Sequence, residues 1–182
     1  MLELDKMLKL AESNVNEALR HYEAQPGGSA QEFVELKLQA FIFQYDICFD
    51  MASVVRSQAT GFASCIALKG LVLRMVEYDL ALNGHWNQRL IRLGTALGFA
   101  YDINDVREAS ASWKTEFKHL RSWASVRNKA AAHYHKHLPG QVNLLKDLAH
   151  DDVMSVARAF LSFNMALLVM LREIGKGLGH EG

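Results

Sequence analysis

The sequence predicts an all-α fold, an up-and-down helical bundle with one or two additional helices. Only two prolines occur among its 182 residues, so long stretches contain no helix breaker. Apolar residues recur at three- and four-residue spacing, as on one face of a helix, and no strand-like alternation of useful length occurs. The composition, 50% hydrophobic and 22% charged, is typical of a soluble globular chain and excludes a disordered one.

Turn and capping signals divide the chain into its predicted helices. Ser29 and Glu32 have the spacing of a capping box, which predicts the start of the second helix. The Asn-Gly pair at 83–84 predicts the end of the third helix, and the Leu-Pro-Gly sequence at 138–140 predicts the end of the fifth. The predicted helices cover about residues 2–23, 29–58, 62–82, 85–101, 105–135 and 151–175.

The second half of the chain has further boundary signals. Residues 102–105 form a loop and cap signal before the fifth helix, which we expect to bend near Ser122 or Ser125. The last helix should begin at Asp151 or Asp152, whose negative charges suit a helix N-terminus.

These patterns predict a single helical domain over residues 1–182. Residues 1–25 form its N-terminal helix, 29–175 its bundle core and 176–182 a flexible tail. The chain start lacks the cationic and apolar regions of a signal peptide. The longest apolar run, 159–171, is interrupted by polar residues and too short to span a bilayer, so we expect a cytoplasmic protein without membrane contact.

Charge is distributed unevenly in a chain whose formal net charge is zero. The segment 117–150 has six basic residues and one acid, Asp147, so its charge is +5 and that of the remainder is −5. Five of the eight histidines lie in the same segment. Such a region suits a restricted anionic ligand, and it also suits a solvated helix face. The basic residues are Lys118, Arg121, Arg127, Lys129, Lys136 and Lys146.

Within this segment, Arg127 is followed directly by Asn128, and five positions separate Arg127 from His133. Cleavage of RNA without a metal needs a base for the 2′-hydroxyl, a cation for the phosphorane charge and an acid for the leaving 5′-oxygen. His133 can act as base or acid, Arg127 can hold the phosphate, and Asn128 can orient either by hydrogen bonding. Without further context, an ion-paired surface arginine and a polar helix histidine explain the same residues.

The Arg127-Asn128 to His133 pattern resembles the motif of the HEPN superfamily, helical-bundle proteins of toxin–antitoxin, abortive-infection and CRISPR-associated systems. The Arg-Asn-Lys and Ala-His sequence pattern is followed by a Pro-Gly loop and a helix that begins with Asp. This combination looks most like the abortive-infection branch. The resemblance implies a metal-independent endoribonuclease whose catalytic residues are Arg127, Asn128 and His133. It also implies a homodimer with the site in its interface cleft, an RNA substrate and an antitoxin or other partner protein.

Neighbouring residues extend the expected RNA- and phosphate-binding surface, namely Arg121, Lys129, Tyr134 and His135. Some family members have a modified tyrosine two places after the histidine, where this chain has His135. That departure puts the corresponding regulation in doubt. We expect neither a metal nor another cofactor, because the alternating histidines 133, 135 and 137 point about 200° apart on a helix and cannot converge.

An ideal helix would rotate His133 some 240° past Arg127, so the two side chains would not share one face. They can act together only if the helix begins or bends between them, or if a second copy supplies the missing group. The alternative function is a non-catalytic helical module that binds a protein or a nucleotide, or serves as a scaffold. The neutral net charge and the very apolar last helix favour that alternative, so enzyme activity stays uncertain on the sequence alone.

Overall fold

The computed structural model describes residues 2–25, 27–99, 101–128 and 138–177. Within those ranges strands are absent and helices follow one another with short connections, so the predicted all-α helical bundle is confirmed. The helices are α1 (Leu2–Ala24), α2 (Gly28–Ser57), α3 (Gly61–Ala81), α4 (Asn87–Ala96), α5 (Ile103–Ala111), α6 (Lys114–Ser122), α7 (Ala124–Val126), α8 (Leu138–Lys146) and α9 (His150–Gly177).

Helices α2, α3 and α9 pack against one another at the centre of the bundle, and α1 packs chiefly along α2. Phe160 of α9 lies edge-on to Phe43 of α2 and Phe117 of α6, with ring centroids 5.6 and 4.8 Å apart. Edge-to-face packing of this kind stabilises aromatic clusters beyond the area that they bury. The aromatic residues therefore join three helices into one core.

Helix α9 is the core helix of the bundle. By length and composition it could cross a membrane, which the interrupted run at 159–171 did not lead us to expect. Protein atoms bury 61% of its most apolar stretch, as they bury the core helix of a soluble protein. Its buried side chains include Val153, Val156, Phe160, Phe163, Leu167, Leu171 and Ile174.

A buried asparagine in α9 connects the three central helices. Asn164 is fully buried, and its side-chain amide donates to the backbone carbonyl of Ala40 in α2 at 3.1 Å. The Tyr78 hydroxyl of α3 donates to the Asn164 amide oxygen at 2.9 Å. The Tyr78 ring stacks on Phe43. Burial raises the pKa of the Tyr78 hydroxyl, so the hydroxyl stays protonated and can donate this hydrogen bond throughout the physiological pH range. One of the polar residues that interrupt the apolar run, Asn164, therefore links α9 to α2 and α3 by hydrogen bonds.

The predicted helix end at 83–84 is wrong. The chain continues from α3 into α4 through a wider π-helical turn, Leu82–Trp86, and the backbone of Leu82 is right-handed helical. The Asn83 side-chain amide donates to the Asp79 backbone carbonyl at 2.7 Å. The residue that was expected to end the helix therefore forms a hydrogen bond with the preceding turn. Gly84 is accommodated by the same turn.

Residues 138–140 were expected to form the loop that ends the fifth helix, but they lie in α8 (Leu138–Lys146), and the end of the predicted fifth helix lies outside the described residues. Proline suits the first turn of a helix, where its missing N–H would have had no partner. Upstream, the predicted cap is confirmed: the Asp102 carboxylate accepts from the backbone of Asn104 and Asp105, and starts α5. The expected bend near Ser122 is confirmed at Trp123, between α6 and α7, whereas the break between α5 and α6 was not expected.

The start of α2 differs from the capping-box prediction. Its N-cap is Gly27, with a left-handed φ of 131° and no side-chain cap hydrogen bond. Glu32 instead accepts hydrogen bonds from Arg89 and Arg92 of α4, and Arg89 also donates to Glu35. Burial acts to raise the pKa of Glu32, but the hydrogen bonds and charges of Arg92 and Arg89 hold it below its usual range. These residues tie α4 to α2.

We expect Glu32→Gln to lower the free energy of unfolding at neutral pH by about 1–2 kcal/mol, because Glu32 accepts charge-assisted bonds and is largely buried. A depressed folded-state pKa means that the stabilisation is present above pH 4.5 and is lost as pH falls through the lower, folded-state pKa. Urea unfolding across the acid range should therefore show a shallower decline in the variant. Glu12→Gln, an exposed change on α1, should leave that decline unaltered.

Candidate functional site

Arg127 is positioned by a short helical segment whose apolar side chains enter the core. Trp123 and Val126 are buried, and the Val126 and Arg127 backbone amides both donate to the Trp123 carbonyl. Arg127 has a right-handed helical backbone and a side chain that is 37% exposed. The buried segment therefore fixes the backbone of Arg127, while the guanidinium of this residue reaches solvent.

Two side chains orient that guanidinium. The Nε–H of Arg127 donates to the carboxylate of Glu77 on α3, and its Nη1 donates to the Asn128 amide oxygen at 3.2 Å. Within the described part of the chain, the other guanidinium N–H groups have no hydrogen-bond acceptor and are available to a ligand. The Arg127–Glu77 pair is too exposed to contribute more than about 1 kcal/mol to stability, so its main consequence is orientation.

Arg121 lies near a second carboxylate of α3. Burial raises the pKa of Asp79, while the positive charge of Arg121 and a hydrogen bond from Asn83 act to lower it. Arg121 itself is exposed. The two arginines of this region thus each interact with one acid of α3, which partly neutralises the basic segment seen in the sequence.

Helix α6 presents a basic stripe. Lys114, Lys118 and Arg121 recur at four- and three-residue spacing, so they share one face, and all three are exposed. In the described part of the chain none of them forms an ion pair within 4.0 Å. Apart from the attraction between Arg121 and Asp79, this stripe offers positive charge with no ion-pair partner among the described residues, on the helix that leads to α7 and Arg127.

A groove of about 620 Å³ runs between α2 and α3, and Glu77 belongs to its lining. Asp46 and Asp50 also line it, both paired with Arg74. Burial raises the pKa of Asp50, Arg74 counteracts this effect, and Asp46 adds to it. Three carboxylates and one arginine lie in its described wall, so the net charge of the groove is negative and disfavours an anionic ligand.

The remaining predicted site residues, Lys129, His133, Tyr134 and His135, lie outside the described residues. The structure therefore brings Arg127 and Asn128 together, puts Arg121 on the preceding helix, and leaves the Arg127–His133 relationship a prediction. Among the residues that are described, no group of three His, Cys, Asp or Glu side chains could hold a metal ion.

Sequence reasoning missed Glu77 and Asp79. Both are acids on α3, a helix otherwise dominated by buried apolar residues. The only available signal was a polar pair within that apolar pattern, and it did not indicate which cations would approach from about 50 residues away in the chain.

The chain was compared with protein families, curated proteins and solved structures. No family model, curated protein or solved structure matches it.

Proposed function

We propose that this chain is a HEPN-like toxin or defence protein that cleaves RNA without a metal and acts as a cytoplasmic homodimer. The observation that carries the proposal is the Arg127 guanidinium, which Glu77 and Asn128 orient while its other N–H groups have no acceptor among the described residues. It is partly exposed and follows the basic stripe of α6. A held but incompletely used guanidinium is the group that a phosphodiester needs for bidentate binding.

The proposed reaction is an internal transfer at one phosphodiester. His133 removes the proton of the 2′-hydroxyl, whose oxygen attacks phosphorus, and Arg127 neutralises the charge that develops on the phosphoryl oxygens. The bond to the 5′-oxygen breaks, and that oxygen takes a proton from a second histidine or from water. The products are a 2′,3′-cyclic phosphate and a free 5′-hydroxyl, with no oxidant, metal or water consumed in the step.

A second copy of the chain would supply the second histidine. The helices that carry Glu77 and its groove also expose large apolar side chains, which favours association through that face. They are Ile42 and Phe49 on α2, and Ile66 and Leu80 on α3, each more than 40% exposed. A two-fold axis through such a face would bring two Arg127 side chains toward one cleft.

The decisive experiment incubates purified protein with RNA in EDTA. We expect the wild type to release 2′,3′-cyclic phosphate ends, and His133→Ala to be slower by at least about 10²-fold, as for loss of a general acid–base. His21→Ala, which changes an exposed histidine of α1, is the matched control and should cleave normally. An inert wild type, or a His133→Ala variant that cleaves as fast, would refute the catalytic assignment. Circular dichroism establishes that each variant is folded.

The same exposed apolar side chains favour a second function, a non-catalytic module that binds a partner protein such as an antitoxin. Ile66→Glu distinguishes the two. The variant should prevent association through this face, whether with a second copy or with a partner protein. It should reduce RNA cleavage only if the cleavage site is assembled by dimerisation through this face. Size-exclusion chromatography with light scattering reports the dimer directly.

A further inference from the structure

A second groove lies on the opposite side of α2, between α1 and α9. Because α1 packs chiefly along α2, a cleft of about 680 Å³ remains between α1 and α9, with α2 as its floor. That volume is within the range of small-molecule sites. Those residues assigned to RNA cleavage that the structure describes, Arg121, Arg127 and Asn128, do not line it.

The groove is apolar over much of its length and cationic near one end. Helices α2 and α9 run antiparallel, since Asn164 meets Ala40 while Gly175 lies against Phe33. These two contacts place Lys37 of α2 and Arg172 of α9 within about one helical turn of each other along the groove. From there Phe41 on α2 and the exposed Met165 and Val169 on α9 form apolar walls toward the other end.

The two cations are not paired with an acid in the part of the chain that the structure describes. Lys37 is half-buried and Arg172 is exposed, and neither forms an ion pair with any described carboxylate within 4.0 Å. Among the described residues of the lining, Glu17 is the one acid, and its carboxylate oxygen lies 3.9 Å from Nε2 of His21 on the same helix. With His21 neutral the lining has a charge of +1, and with His21 protonated it has a charge of +2.

We propose that this groove binds a single-chain amphiphile with a carboxylate head. The head lies between Lys37 and Arg172, which have donors free for it, and the alkyl chain follows Phe41, Val169 and Met165. Arg172 and Met165 are seven residues apart, about 10 Å along a helix, which is long enough for a medium alkyl chain. Binding covers apolar side chains that are otherwise in water, and these contribute in proportion to the area removed.

Calorimetric titration of the full chain with decanoate tests the site. We expect saturable binding at one site, and at least about tenfold weaker binding in Lys37→Gln/Arg172→Gln, which loses both charge-assisted contacts. Lys9→Gln/Arg158→Gln, which changes exposed cations of α1 and α9 outside the groove, should bind as the wild type does. Val169→Trp should weaken binding by filling the groove from an exposed position.

A measurement on the wild type alone keeps the test valid if a variant fails to fold. Decyltrimethylammonium has the same chain and the opposite head charge, so it should bind at least about tenfold more weakly than decanoate. Decanoate should shift the methyl resonances of Met165 and Val169. The proposal is overturned by equal binding of the two amphiphiles, by no saturable binding of decanoate, or by equal weakening in the control variant. RNA cleavage has no part in these readouts, so failure here is distinct from failure of the proposed function.

Discussion

Replacing Asn164 with leucine should lower the free energy of unfolding by about 2–3 kcal/mol, although leucine is apolar and of similar size. The change removes the hydrogen bond to the Ala40 carbonyl and leaves the Tyr78 hydroxyl without its acceptor. The cost comes mainly from polar groups that lose their partners in the interior. Urea unfolding followed by circular dichroism measures the loss.

A double-mutant cycle identifies the cause. Tyr78→Phe removes the hydroxyl that Asn164→Leu would leave unpaired, so the double variant should be more stable than the sum of the two single losses predicts. Strict additivity would contradict a hydrogen-bonded crosslink between α3 and α9. A loss below about 0.5 kcal/mol for Asn164→Leu would contradict it as well, because that is the size of an ordinary surface change.

The helical fold could be predicted from the sequence because helix periodicity and the scarcity of proline are local properties. Boundaries were less predictable where one residue type suits two conformations. Pro139 fits both a helix end and a helix start, and Gly84 fits both a terminator and a widened turn. Gly175, at which the last helix was predicted to end, lies inside α9, where a Cβ would come within 2.7 Å of the Phe33 ring. That requirement is tertiary, so no local pattern reveals it.

The candidate site shows the same division between local and distant information. Arg127 and Asn128 are neighbours in the chain, and their side-chain contact is one that a motif can anticipate. Glu77 reaches Arg127 only because α3 and α7 pack together. Neither helical periodicity nor the basic composition of residues 117–150 predicts which carboxylate will occupy one edge of the guanidinium. The pairing therefore had to come from the fold.

Arg127→Ala should lower kcat/KM for RNA cleavage by about 10³-fold, the loss expected when a preorganised donor to a developing negative charge is removed. The fold should survive, because the ion pair that is lost lies on the surface. Arg127→Lys should recover little activity, since an ammonium cannot reproduce the planar, bidentate geometry. Arg158→Ala, an exposed change on α9, is the control for loss of one positive charge and should have little effect.

The Glu77→Gln variant tests whether Arg127 binds phosphate or only forms an ion pair with Glu77. The amide oxygen of glutamine can still accept from the Arg127 Nε–H, so the guanidinium keeps its orientation while the competing negative charge disappears. If Arg127 binds phosphate, this variant should bind RNA more tightly than the wild type, with a larger gain at low salt. Glu12→Gln makes the same change in net charge away from the site and should not. If instead Arg127 serves only to pair with Glu77, Arg127→Ala and Glu77→Ala should lower stability equally and slightly. Neither variant should then change RNA binding or cleavage.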